Sequence, residues 1–184
     1  SDDEKALLTR WVAEGADYRP HWSFAPVSRG TPPAAKGSSN PIDAFVRARL
    51  EAEALTAAPA APPEVLIRRV ALNLTGLPPS PDEIDAFLAD RSPGAYARMV
   101  ERYLASPAYG ERMAMDWLDL ARYADTYGYQ NDVERDMSAY RDWVIGAFNR
   151  NLSYDQFLTW QVAGDLLPNA TRDQRVATAF NRLH

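Results

Sequence analysis

Helix-start chemistry recurs along this chain so often that it constrains the fold more than any other feature. Asn40-Pro41, Ser80-Pro81, Ser92-Pro93 and Ser106-Pro107 each place a side-chain acceptor just before a proline. Such an acceptor takes an orphan backbone N–H of the first helical turn. Proline at the next position loses no hydrogen bond, and its φ is already helical. Ser1 with Glu4, Ser80 with Glu83, Ser153 with Gln156 and Thr171 with Gln174 add the spacing of a capping box. Behind these starts the apolar residues recur every three or four positions, as in Leu66, Ile67, Val70 and Leu74, or Met99, Val100, Tyr103 and Leu104. No stretch alternates with a period of two. The pattern predicts an all-α chain, an irregular multi-helix bundle of about eight or nine helices.

The order along the chain suggests three parts. Residues 1–19 hold one short amphipathic helix, with Leu7, Leu8, Trp11 and Val12 on one side and Gly15 at its end. Residues 20–40 lose all periodicity and gain Pro, Gly and Ser, which predicts an extended linker with His21, Trp22 and Phe24 as its aromatic cluster. Residues 41–184 carry the remaining helices. Within them Tyr127–Asp136 is polar and reads as a loop, Leu152 and Phe157 have the spacing of a hydrophobic staple, and Gly164 suits a helix stop.

The segment from Tyr109 to Asp125 poses the sharpest question. On a helical wheel Met113, Ala114, Trp117, Leu120, Ala121 and Ala124 form a broad apolar arc. Charges flank it closely. A charge on a mostly buried helix costs several kcal/mol unless it is paired, so the sequence predicts a buried clamp. Its candidate members are Arg112, Asp116, Asp119, Arg122, Tyr123 and Asp125, joined by Arg141 and Asp142 from the next helix. Trp117 and Trp143 are expected in the core. A rival reading opens the same acids onto a sugar-binding cleft walled by Tyr123, Tyr127, Tyr129, Tyr140, Trp117 and Trp143.

Composition excludes several classes. With 20 basic against 25 acidic residues the net charge is -5, and no stretch concentrates Lys or Arg without interleaved acids, which argues against nucleic-acid binding through phosphate neutralisation. There is no cysteine, hence no disulfide, no thiolate chemistry and no CxxCH haem attachment. No run of 18 apolar residues provides a membrane span. Motifs for a serine nucleophile, a phosphate loop or a zinc helix are absent, and with only His21 and His184 available a histidine-based triad is not expected. Asp125, Asn131, Asp132, Glu134 and Asp136 supply oxygen ligands but lack the order of a calcium loop, so no metal and no cofactor are expected.

Five segments in order, NPIDAFVRARLEAEAL, LIRRVALNLTGLPPSPDEIDAFL, YGERMAMDWLDLARYADTYGY, YRDWVIGAFNRNLSYDQF and QVAGDLLP, resemble a domain of unknown function expanded in Planctomycetes. That family's domain lies in large exported proteins, after a planctomycete-type cytochrome c module and before a second uncharacterised domain. Residues 1–15 resemble the closing helix of such a cytochrome module. The resemblance implies an extracytoplasmic location, a chain truncated within its own domain, and partners in the cytochrome c module and the downstream domain of the same full-length protein. A glycan is the other partner it brings into view. It supplies no reaction and no catalytic residues. The function expected is a non-catalytic docking or scaffold module, with glycan binding or processing as the alternative.

Overall fold

A computed structural model describes residues 1–18, 20–34, 40–128 and 131–183, among which there are nine α-helices and no sheet. The all-α expectation holds. Tyr129 of the expected cleft and His184 lie outside the described residues. Among the described residues no helix is long and apolar enough to cross a membrane.

The chain divides into two compact units, Ser1–Pro59 and Ala60–His184. The first contains α1 (Asp2–Ala13), a 3₁₀ turn at Trp22–Phe24 and α2 (Pro41–Ala52). Ser1 and Glu4 close the capping box on α1, and Asn40 caps α2 by accepting from the Ile42 N–H at 2.9 Å. Capping makes these helices but does not bury them. No residue of α1 is buried, and only Ala44 is buried in α2.

The second unit contains α3 (Pro63–Thr75), α4 (Pro81–Ala89), α5 (Ala95–Leu104), α6 (Pro107–Leu120), α7 (Ser138–Asn149), α8 (Tyr154–Ala163) and α9 (Arg172–Ala177), closed by a 3₁₀ turn at Thr178–Arg182. Their apolar stripes make two cores. Ile67, Ala71, Met99 and Tyr103 form one, with Ile84 and Phe87 packed against it. Ala114, Tyr140, Trp143, Val144, Ala147, Phe157 and Ala177 belong to the other. Helix α6 packs on α3 and, most extensively, on α7, and it buries Gly110 and Ala114, whose small side chains allow close approach.

Three helix starts depart from expectation, and the simplest is Ser106-Pro107, which opens α6 without a side-chain cap. Ser92-Pro93 does not open α5, which begins at Ala95 after Gly94 in the left-handed region (φ 83°). Asp90 reorganises this turn. It accepts from the Ser92 N–H at 3.0 Å and from Arg98 Nη2 at 2.6 Å, while Arg98 Nη1 donates to the Pro93 carbonyl at 3.0 Å. Helix α8 does begin after Ser153, but without a side-chain cap from that residue. Helix α8 does stop at Gly164, as expected, but without a left-handed turn. The φ of Gly164 is -61°, and a Cβ there would run into the Gln174 carbonyl, so the missing side chain admits the backbone of α9.

Candidate functional site

The expected clamp does not assemble, and the reason lies at the end of α6. The helix stops at Leu120, with Arg122 in the left-handed region (φ 57°). The Arg122 N–H donates to the Asp119 carbonyl at 3.0 Å and the Tyr123 N–H to the Leu118 carbonyl at 2.9 Å, the two bonds of a Schellman stop. Arg122, Tyr123 and Asp125 are therefore beyond the helix whose wheel was expected to carry them. Left-handed stops favour glycine, and arginine at this position gave no warning of one.

The charged candidates scatter over the surface. Asp116, Asp119, Arg122, Asp125 and Asp142 are exposed, whereas Arg112 and Arg141 are half-buried. Arg141 pairs with its chain neighbour Asp142 at 3.1 Å rather than with an aspartate of α6, and this contact helps hold its guanidinium protonated. Asp125 accepts from the Tyr123 hydroxyl at 2.9 Å. Burial first, then the Asp125 carboxylate, push the Tyr123 hydroxyl up to about 12. Arg112 lays its aliphatic stem over the end of α3, where a Cβ on Gly76 would meet Arg112 Cδ at 3.2 Å. The sugar cleft with these walls is not formed either, because Tyr140 and Trp143 are core residues.

What occupies the centre is neutral. The Trp117 indole N–H donates to Gln161 Oε1 at 2.9 Å and leans toward the Tyr140 hydroxyl oxygen at 3.2 Å. The Tyr140 O–H donates to the same Gln161 oxygen at 2.6 Å, and Gln161 Nε2 donates to the Phe157 carbonyl at 2.9 Å. Tyr140 and Gln161 are each 1 % exposed. This network ties α6, α7 and α8 together without burying a charge, which avoids the desolvation cost of an ion pair. Burial pushes the Tyr140 hydroxyl up to about 12. Around it the rings pack edge-on and stacked, with Trp117 at 4.9 Å and Trp143 at 5.4 Å from Phe157. Trp143 is buried, and Trp117 is half-buried against the same core. The sequence reading passed over Gln161, and its place four residues after Phe157, on the same side of α8, was the available signal.

A second tie joins α6 to α7. The Asn149 side chain accepts from the Gly110 N–H at 2.8 Å and donates to the Pro107 carbonyl at 3.1 Å. It thus serves the first turn of α6 from 39 residues away. Glycine inside a predicted helix was the one available signal, since such a residue commonly marks close packing. Beside this contact a groove of about 540 Å³ opens, with Trp117, Ala147, Phe148, Leu152 and Phe157 among its walls and Tyr109, Asn151 and Tyr154 toward its rim.

The acidic loop folds on itself. Asp132 accepts from Thr126 Oγ1 at 2.5 Å and from the Gly128 N–H at 2.8 Å, which lowers its pKa. Thr126 and Glu134 form one antiparallel bridge. Arg135 stands 4.8 Å from the Tyr127 ring centroid and donates to the Arg182 carbonyl at 2.8 Å. Among the described residues no three His, Asp or Glu side chains converge where they could hold a metal ion.

Fold and centre together define an all-α module organised by a neutral hydrogen-bond network. Residues 41–184 match the model of the PSCyt2 family, described as a protein of unknown function (DUF1549), and the chain belongs to that family. Comparison with the curated proteins and with the solved structures gave no match.

Proposed function

We propose that this chain is a non-catalytic helical docking module of a larger exported protein, and that it seats a cytochrome c module and a downstream domain of that protein. One observation carries the reading. The apolar face of α1, with Leu7, Leu8, Trp11 and Val12, is exposed along its length, and so are Ile42, Phe45 and Val46 of α2. A capped amphipathic helix with its apolar side in water loses most of the stabilisation that tertiary packing supplies, so these faces favour a protein partner. The family label PSCyt2 and the likeness of residues 1–15 to a cytochrome closing helix support a cytochrome c module as the occupant. The same likeness supports an extracytoplasmic location. The scattered acids of α6 and α7 give no support to a glycan-processing reading.

The test is to express the chain together with the segment that precedes it in the full-length protein, as separate polypeptides, and measure association by calorimetry. Binding that is lost in Leu8→Glu with Trp11→Glu, with the melting of the second unit unchanged, supports the proposal. No association, or association indifferent to both changes, refutes it. A glycan array on the same chain asks the other question, and a hit retained by the double variant would move the function to a glycan.

A further inference from the structure

The N-terminus of α6 borders a pocket that shares no lining residue with the groove beside Trp117. Its volume is about 270 Å³, and it lies where the end of α3, the start of α4 and the turn from α5 to α6 meet. Uncharged donors in its lining have no acceptor among the described residues. The Ser106 hydroxyl does not cap α6. In the first turn of that helix the Gly110 N–H goes to Asn149, the Tyr109 N–H goes to the Ser106 carbonyl at 3.0 Å and Pro107 has none, which leaves the Ala108 N–H as the orphan donor. Tyr103 is the sharpest case. The residue is 5 % exposed, and its hydroxyl is buried with no hydrogen-bond partner. A buried donor left in this way is costly, and its retention calls for a physical reason. Burial first raises the Tyr103 pKa, so the hydroxyl stays protonated at neutral pH. Glu83 and Arg102 also act on this hydroxyl, and both line the pocket, so the hydroxyl stands on the pocket side of its ring.

The polar groups of the pocket sort by sign. Arg102, the Tyr103 and Ser106 hydroxyls and the Ala108 N–H are all donors, gathered at the positive end of the α6 dipole, and together they suit one carboxylate. Glu83 stands against them. Its Oε2 is fixed by the Ser80 N–H at 2.8 Å, and its Oε1 is 3.7 Å from Arg102 Nε, too far for a hydrogen bond. Arg102 is thus held loosely, laid over the Tyr103 ring with Cζ 5.1 Å from the centroid. A bare anion would gain from Arg102 and be repelled by Glu83. A ligand that carries an ammonium group beside its carboxylate satisfies both signs. Leu77 and Pro78 add an apolar wall, and the volume, just below the usual range for drug-sized ligands, admits a small apolar side chain and excludes a nucleotide.

We propose that the pocket at the N-terminus of α6 binds a small free α-amino acid with an apolar side chain, its carboxylate held by Arg102, Tyr103, Ser106 and the Ala108 N–H and its ammonium group by Glu83. The ligand draws the Arg102 guanidinium off Glu83 and meets the Tyr103 hydroxyl beneath it.

The experiment follows the amide signals of the whole chain, labelled with nitrogen-15, during titration with L-alanine and with L-valine, and with sodium acetate as the carboxylate alone. Saturable movement of the Ala108 signal with either amino acid, at concentrations where acetate moves nothing, is the expected result. Tyr103→Phe deletes a hydroxyl that has no partner in the fold, so melting should stay put while binding weakens by about tenfold. Glu83→Gln keeps a residue that serves the capping box with Ser80 and deletes only the charge. It should weaken amino-acid binding by about tenfold and strengthen that of acetate. An Ala108 signal unmoved by both amino acids, or binding unchanged in Tyr103→Phe or in Glu83→Gln, would overturn the proposal. Acetate binding as tightly as the amino acids would also overturn it, in favour of a simple anion site.

Discussion

Gly110→Ala is the substitution on which helix propensity and tertiary packing disagree most sharply. In an isolated helix the change to alanine is worth about 1 kcal/mol in favour of folding. Here a Cβ at position 110 would lie 2.5 Å from Asn149 Cγ and Nδ2 and 2.5 Å from the Ile145 carbonyl oxygen. The side chain can swing away; the carbonyl belongs to the backbone of α7 and cannot. Forcing α6 and α7 apart costs about 1–3 kcal/mol by analogy with overpacked cores. Displacing Asn149 from Gly110 N–H and the Pro107 carbonyl adds about 1 kcal/mol for each hydrogen bond. Set against the propensity gain, the net loss is about 2–4 kcal/mol. Urea unfolding followed by tryptophan fluorescence should show a midpoint lower by roughly 1–2 M at unchanged slope. In an Asn149→Ala background only the Ile145 contact remains, so the same substitution should cost less there. A midpoint that stays put or rises in Gly110→Ala would refute the argument, because propensity alone would then account for the site.

Other expectations follow from the same geometry. Gln161→Leu should destabilise by about 2 kcal/mol or more, because it leaves the Tyr140 hydroxyl buried without its acceptor; near-ultraviolet circular dichroism and urea unfolding check this. Arg122→Gly should stabilise by about 0.5–1 kcal/mol by relieving the left-handed conformation, and a fall in melting temperature would argue against the Schellman stop at that residue. Asp116→Ala and Asp119→Ala should each change stability by less than about 0.5 kcal/mol, as exposed substitutions do, and a large loss in either would restore the buried clamp. Ser92 first, and then Arg98, hold the Asp90 carboxyl down at about 2. Its contribution is fully present above the ordinary aspartate pKa and is lost as pH falls through about 4 to 2, so Asp90→Asn should flatten the acid limb of a stability–pH curve.

Most of the helices were legible because their signals are local. Asn40-Pro41, Ser80 with Glu83, and Thr171 with Gln174 lie beside the turns they cap, and those caps are present at 2.8 to 3.3 Å. The helical spacing of Ile67, Val70 and Leu74, or of Met99, Val100 and Tyr103, likewise picked out residues in or against the core, though Leu104 of the same pattern is exposed and the buried Ala71 was passed over. Wherever the answer depended on a second element, the local signal misled. A helical wheel carried Arg122, Tyr123 and Asp125 onto α6, but the chain leaves the helix at Ala121, sends Arg122 and Asp125 to the surface and packs Tyr123 half-buried against the core. Ser92-Pro93 has the chemistry of a start, yet the Arg98 side chain six residues on draws that turn into a different shape.

The sequence by itself determined an all-α chain, since caps, prolines and apolar spacing act over three or four residues and need no partner. Only the tertiary structure decided what stands at the centre. The approach of α6, α7 and α8 selects Trp117, Tyr140 and Gln161, neutral groups that can share hydrogen bonds in a dry interior. The aspartates of α6 and α7 stay in water, where their charges cost little to keep, and Arg112 and Arg141 are only half-buried. The pairing of Gly110 with Asn149 and the groove beside it arise from the same approach. Neither is encoded in any window of the chain short enough to be read along a single helix.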